Sequence, residues 1–162
     1  MIIFLYGPDS FRSRQKLNEI LAQYKEKHKQ AFNLKFFDCD EQKVDIKGLK
    51  DELRQTSMFK EKKLLVISNL FGDTALKEKF LKEGKDFVAS DEVVLVYEPG
   101  EIKSTDKLLK FLSKESKTQE FKSLDDRNLR AWIRKEAERQ KGRIEDMAVD
   151  VLCDYVGSNL WQ

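Results

Sequence analysis

The sequence has little of what most site chemistries require. Its two cysteines, Cys39 and Cys153, stand far apart with no CxxC spacing. They read as reduced thiols and offer neither a disulfide framework nor a thiolate metal site. The single histidine, His28, lies in the charged stretch KEKHKQ and reads as a solvated helix position. No GxSxG elbow, HExxH or GxGxxG occurs, which excludes the mechanisms that carry those signatures. No apolar run is long enough for a signal-peptide core or a membrane span, and MIIFLYGPDS has no basic leader ahead of its apolar residues. A cytoplasmic protein with no membrane partner is therefore expected. Charge of one sign is also missing: 31 basic residues face 29 acidic ones, a formal net charge of +2, so no large net field favours nucleic acid.

What is present suits a globular, helix-rich chain. Of 162 residues 40% are hydrophobic and only two are proline, enough for one well-formed core with room for part of a second domain. Ile2 to Tyr6, Leu64 to Ile67 and Val93 to Tyr97 are short continuous apolar runs, the pattern of strands buried on both faces of a parallel sheet. Phe32, Leu34 and Phe36 alternate with polar neighbours and suit a strand nearer the edge, and a weaker strand is expected around Glu120 to Lys122. Helical patterns lie between. Ser10 or Asp9 can cap a helix with Phe11, Leu17, Ile20, Leu21 and Tyr24 on one side. Further stripes are Ile46, Leu49, Leu53; Leu76, Phe80, Leu81; and Leu108, Leu109, Phe111, Leu112. Strands alternating with helices predict an α/β domain with right-handed crossovers.

Strand signals stop after Leu124. Asp125 or Asp126 can open a helix bearing Leu129, Trp132, Ile133 and Ala137 that ends near Gly142. A second helix follows from Ile144, with Ala148, Val151, Leu152 and Val156 expected inward and Gly157 as its C-cap. The expected division is an α/β domain over 1–141 and a helical domain over 142–162. The final SNLWQ leaves a cap signal and apolar Leu160 and Trp161 with no helix behind them, which reads as a truncated domain.

Strand, Gly7 and capped helix is the layout of a phosphate loop, but the motif is degenerate. GxxxxGK[ST] would supply backbone amides, a lysine and a magnesium-binding hydroxyl. From Gly7 the chain reads GPDSFRSR, so Arg12 replaces the second glycine, Ser13 the lysine and Arg14 the Ser/Thr. The acidic residue that organises magnesium is also missing: LLVIS is followed by Asn69 and Leu70, and Val93 to Tyr97 by a lone Glu98. ATP hydrolysis is not expected, nor is a cofactor or a metal. Arg12 and Arg14 read as solvated surface arginines, with phosphate contact the alternative.

The most informative local feature is Thr56-Ser57-Met58-Phe59-Lys60-Glu61-Lys62-Lys63. The stripe Ile46, Leu49, Leu53 would continue near Ser57, so Met58 and Phe59 fall at or beyond the helix end. Two adjacent residues cannot share one narrow stripe, so one can protrude as a wedge for a partner's pocket. The alternative places Phe59 under the sheet as a core residue.

In order and spacing these motifs make the chain resemble the delta subunit of the bacterial DNA polymerase III clamp loader. The resemblance rests on FLYGPDSF with its degenerate loop, on SMFKEKKLLVISN, and on the stretch from FKSLDD through Trp132 and Gly142 to the closing GSNL. It implies an AAA+/P-loop-type parallel five-stranded sheet flanked by helices, followed by a partial helical lid, with no ATP bound. It implies a non-catalytic subunit that binds the sliding clamp (beta), with Met58 and Phe59 seated in the clamp's hydrophobic pocket, and that promotes ring opening during DNA replication. Methionine where leucine is more familiar nearly conserves volume. Full-length members join gamma/tau and delta-prime subunits through a collar and meet DNA only within that complex. Two other classes stay open: a nucleotide-binding phosphotransferase or ATPase with an unusual loop, and a DNA-binding module using KEKHKQ or the Lys103 to Lys117 region.

Overall fold

The computed structural model describes residues 1–28, 33–55 and 62–161. Five parallel strands form one sheet: β1 (Ile2–Gly7), β2 (Leu34–Asp38), β3 (Leu64–Ser68), β4 (Val93–Pro99) and β5 (Lys117–Glu120). Their spatial order is β2-β3-β4-β1-β5, with Phe4 opposite Val96 and Ile67 also opposite Val96 in register. Helices α1 (Ser10–Lys27), α2 (Ile46–Arg54), α3 (Thr74–Ala89) and α4 (Lys107–Glu115) connect them. Two further helices follow, α5 (Asp126–Arg139) and α6 (Asp146–Val156). Among the described residues no helix is long and apolar enough to cross a membrane.

The strand order decides which face each helix covers. From β1 the chain crosses β4 and β3 to reach β2, and every later crossover runs back in the opposite direction. Right-handed crossovers running in opposite directions lie on opposite faces of the sheet. Accordingly α2, α3 and α4 pack on one side through Leu49, Leu76, Phe80, Phe87, Leu108 and Leu112, against Ile2, Phe4, Ile67, Val94 and Val96. The other side carries α1 through Leu17 and Tyr24, against Leu5, Leu64, Val66, Leu95 and Tyr97. Both faces of the central strands are therefore buried, which is why their sequences do not alternate.

Each of α1 to α5 begins at an aspartate whose carboxylate accepts a backbone N–H of the first turn: Asp9, Asp45, Asp73, Asp106 and Asp125. Gly157 ends α6 with a φ of 59°.

Three sequence readings are corrected. The last strand runs over Lys117–Glu120 and not Glu120 to Lys122; all four of its residues are exposed, so it carries no apolar signal. Phe11 leaves the α1 stripe and packs edge-on against Trp132 and Trp161, at 5.8 and 5.1 Å between ring centroids. On α6 the inward residues are Val149 and Cys153, which form a third apolar cluster with Leu129 of α5, while Ala148, Val151 and Leu152 are exposed. Val149 and Cys153 stand four residues apart and so share one helix face; the expected set, spaced i, i+3, i+4 and i+8, also makes one face, turned from the observed one by about one residue.

Candidate functional site

The residues singled out from the sequence lie at opposite ends of the sheet. At the carboxyl ends of the strands, where α/β folds hold ligands, β1 stops at Gly7 with a φ of 130°. A Cβ there would collide with the carbonyl of Phe121. Phe121 is buried, its N–H donates to the Tyr6 carbonyl at 2.8 Å, and its carbonyl accepts from the Asp9 N–H at 3.0 Å. The close approach that glycine permits in a phosphate loop is thus made here to the chain's own backbone.

The helix start beyond is occupied as well. Asp9 is buried, and its carboxylate accepts from the Arg12 N–H at 2.9 Å and from Arg12 Nε at 2.6 Å. Arg12 also donates through Nη2 to the Lys122 carbonyl at 2.5 Å. A protein carboxylate therefore sits at the positive end of α1, the position at which a helix start favours an anionic ligand. Ser13 is fully buried; its hydroxyl donates to the Ser10 carbonyl at 3.2 Å and lies 3.5 Å from the Tyr97 hydroxyl. Arg14 stacks over the Tyr97 ring at 5.2 Å from its centroid. Gly7, Arg12, Ser13 and Arg14 are brought together around one turn, and each is engaged by protein. A shallow cavity of about 360 Å³ remains beside them, lined by Tyr6, Gly100, Glu120 and Lys122 among others.

The neighbouring strand ends are equally committed. Asn69, with a φ of 59°, stands where a magnesium-organising acid would follow β3, and its side-chain amide donates to Asp38 at 2.9 Å. Glu98 accepts the Phe71 N–H at 3.1 Å. Burial raises its carboxyl above the ordinary value, and nearby Asp40 and Asp38 add to the rise. Burial, with acidic neighbours led by Asp73, pushes the Cys39 thiol up to about 12, so it stays protonated at neutral pH.

At the amino ends of β3 and β4 the arrangement is different. Met58 and Phe59 lie outside the described residues; the described flanks are Gln55, which closes α2, and Lys62, which leads into β3. The Tyr24 hydroxyl donates to the Lys62 carbonyl at 2.7 Å. Lys63 is only 3% exposed. Its ammonium donates to the Glu52 carbonyl at 2.6 Å and to the Glu52 carboxylate at 3.2 Å. Its backbone N–H donates to the Glu92 carboxylate, and its carbonyl accepts from Val93 N–H at 3.0 Å. The last carbonyls of a helix lack intrahelical donors and carry partial negative charge, so an ammonium is favoured there. Sequence reading took Lys63 as one of four charged residues ahead of a strand. Its burial depends on Glu52, eleven residues earlier, and no local pattern shows that pairing.

Comparison with known proteins gives the family and the fold. A family model described as the DNA polymerase III delta subunit matches residues 4–122. The chain belongs to that delta-subunit family. No curated protein matches it. Among solved structures this delta-family chain is similar to the Bacillus subtilis DNA clamp loader delta protein YqeN, at 16% identity and a TM-score of 0.66, over 98% of this chain and 49% of that one. A mutant of Thermotoga maritima RuvB aligns at 20% identity and a TM-score of 0.53, over 91% of this chain and 46% of that one. PCH-2 of C. elegans aligns at 15% identity and 0.50, over 90% and 42%. The delta-family chain thus has an AAA+-type fold, and it spans about half the length of the structures it resembles.

Proposed function

We propose that this delta-family chain binds a sliding clamp through the connection between α2 and β3, and does so without nucleotide. The observation that carries the reading is the contrast between the two ends of the sheet in a chain of this family. At the phosphate end, Phe121 and Asp9 take the space and the amides that a nucleotide would use. At the other end, the chain leaves α2 and enters β3 through Met58 and Phe59, between flanks tied down by Lys63 and Tyr24.

In this reading Met58 and Phe59 enter an apolar pocket of the clamp. Ring opening follows by differential binding: the chain holds an opened clamp edge more tightly than a closed one and shifts the equilibrium accordingly. It performs no catalysis and serves as an accessory subunit beside gamma/tau and delta-prime in the cytoplasm, with DNA contacted through the assembly. Residues 1–141 carry the clamp-binding work, and residues 142–162 open a helical lid.

Replacing both Met58 and Phe59 by alanine tests the contact. Each truncated anchor is expected to cost on the order of 2 kcal/mol, roughly 30-fold in affinity for the clamp of the same organism. The melting midpoint should stay close to that of the parent chain. Unchanged clamp affinity in the double variant would eliminate the wedge.

A further inference from the structure

We infer that Lys63 is a positioning residue for clamp binding: it locks the end of α2 to the start of β3 and so fixes both stems of the connection that carries Met58 and Phe59. The inference rests on the clamp-binding reading above and adds a residue that the family pattern treats only as part of a charged stretch.

The geometry assigns the role. Between Gln55 and Lys62 the chain passes through residues 56–61, and the described residues on either side are joined to each other directly. The Lys63 ammonium, at 4% side-chain exposure, reaches back to the main-chain carbonyl of Glu52 in the last turn of α2 at 2.6 Å and to the Glu52 carboxylate at 3.2 Å. The Glu92 carboxylate, one residue ahead of β4, receives the Lys63 N–H, and Val93 at the start of β4 pairs with the Lys63 carbonyl at 3.0 Å. From α1 the Tyr24 hydroxyl holds the Lys62 carbonyl at 2.7 Å. Three separate elements therefore converge on two consecutive residues at the exit of the connection.

The Val93 bond belongs to ordinary β3–β4 pairing, but the contacts from Glu52, Glu92 and Tyr24 lie outside the ladder and are more than a strand needs. A lysine is rarely buried this far unless fully paired. Its long stem spans from β3 to the helix end, and its charge matches the negative pole of α2. What it sets is the separation and relative direction of the two stems. Holding the two stems in one fixed relation before the partner is met removes a cost that binding would otherwise carry. Lys50 offers an internal contrast. It also ties α2 to the rest of the domain, by pairing Glu83 at 2.6 Å and Asp86 at 2.8 Å on α3, but it leaves the stems alone.

The experiment compares Lys63→Met, Tyr24→Phe and Lys50→Met with the parent chain, reading clamp affinity by surface plasmon resonance and the melting midpoint by calorimetry. Lys63→Met keeps the stem's volume and removes the ammonium; Tyr24→Phe removes only the hydroxyl held to Lys62. Lys63→Met is expected to weaken clamp binding by about tenfold and Tyr24→Phe by roughly threefold, while Lys50→Met stays within about twofold at whatever change of midpoint it brings. If Lys63→Met fails to fold, Tyr24→Phe decides: weakened binding supports the assignment and parental affinity overturns it. Loss of affinity in Lys50→Met as large as in Lys63→Met would also overturn it, since helix anchoring in general would then be responsible. A parent chain that binds the clamp, with both stem variants at parental affinity, sinks the positioning role alone. A parent chain that does not bind the clamp sinks the clamp reading and this role with it.

Discussion

At the residue scale the telling side chain is Asp9. A buried carboxylate at a helix start has two uses for its charge, and here both are taken: it accepts the first-turn amide of Arg12 and pairs with the Arg12 guanidinium at 2.6 Å. An incoming phosphate would meet that negative charge, an amide already given to Phe121, and an arginine already turned toward Lys122. Asp9→Ala is therefore expected to cost stability and not to create a nucleotide site. Losing the cap costs about 1 kcal/mol or somewhat more, and denaturant unfolding measures it. A gain of nucleotide affinity in the variant would contradict this account of the turn. Sequence reading identified the degenerate loop and offered Asp9 as one of two possible caps. It missed that Phe121 fills the turn, because Gly7 and Phe121 are far apart in the chain and no local spacing reports a contact of that range.

At the scale of elements, Glu98 ties the end of β4 to the turn between β3 and α3 by accepting the Phe71 N–H at 3.1 Å. Burial raises its carboxyl above 4.5, with Asp40 and Asp38 adding to the rise. The native state thus holds this proton more tightly than the unfolded chain does. In the window between 4.5 and the raised native value the native state binds more protons, so this group's contribution to stability falls as pH rises through that window. Glu98→Gln keeps an acceptor for Phe71 and removes the ionisation. Its melting midpoint is expected to exceed the parent's at neutral pH, with the gap closing as the solution is acidified toward 4.5. A gap that widens on acidification would contradict the sign.

The elements themselves were mostly legible. The buried strands announce themselves as runs because helices cover both faces, and the aspartate caps mark where α1 to α5 begin. β5 was misplaced because an exposed strand that pairs only β1 has no apolar pattern to read. The inward face of α6 was misread because its apolar residues run around much of the helix. Met147, Val151 and Tyr155 are exposed while Val149 and Cys153 are buried against Leu129, and hydrophobicity alone does not say which set meets α5. The proposed division at Gly142 turns on the same helix pair, since α5 directs Leu129, Trp132 and Ile133 toward α6.

For the whole molecule, the sheet order and its covering helices are those of an AAA+ domain, and the family match extends over residues 4–122. Here Gly7 and Asp9 at the carboxyl end of the sheet are engaged by the chain's own groups, and at the opposite end Lys63 and Tyr24 tie down the entry into β3. On the proposed function, clamp binding is therefore independent of nucleotide and rests on Met58 and Phe59. Clamp affinity titrated in the absence and presence of saturating Mg-ATP, for the parent chain and for the variant with Met58 and Phe59 both changed to alanine, tests this most directly. One parental dissociation constant indifferent to nucleotide, lost in the double variant, is the expected result. An affinity that moves with Mg-ATP, or one that survives without those two side chains, would contradict it.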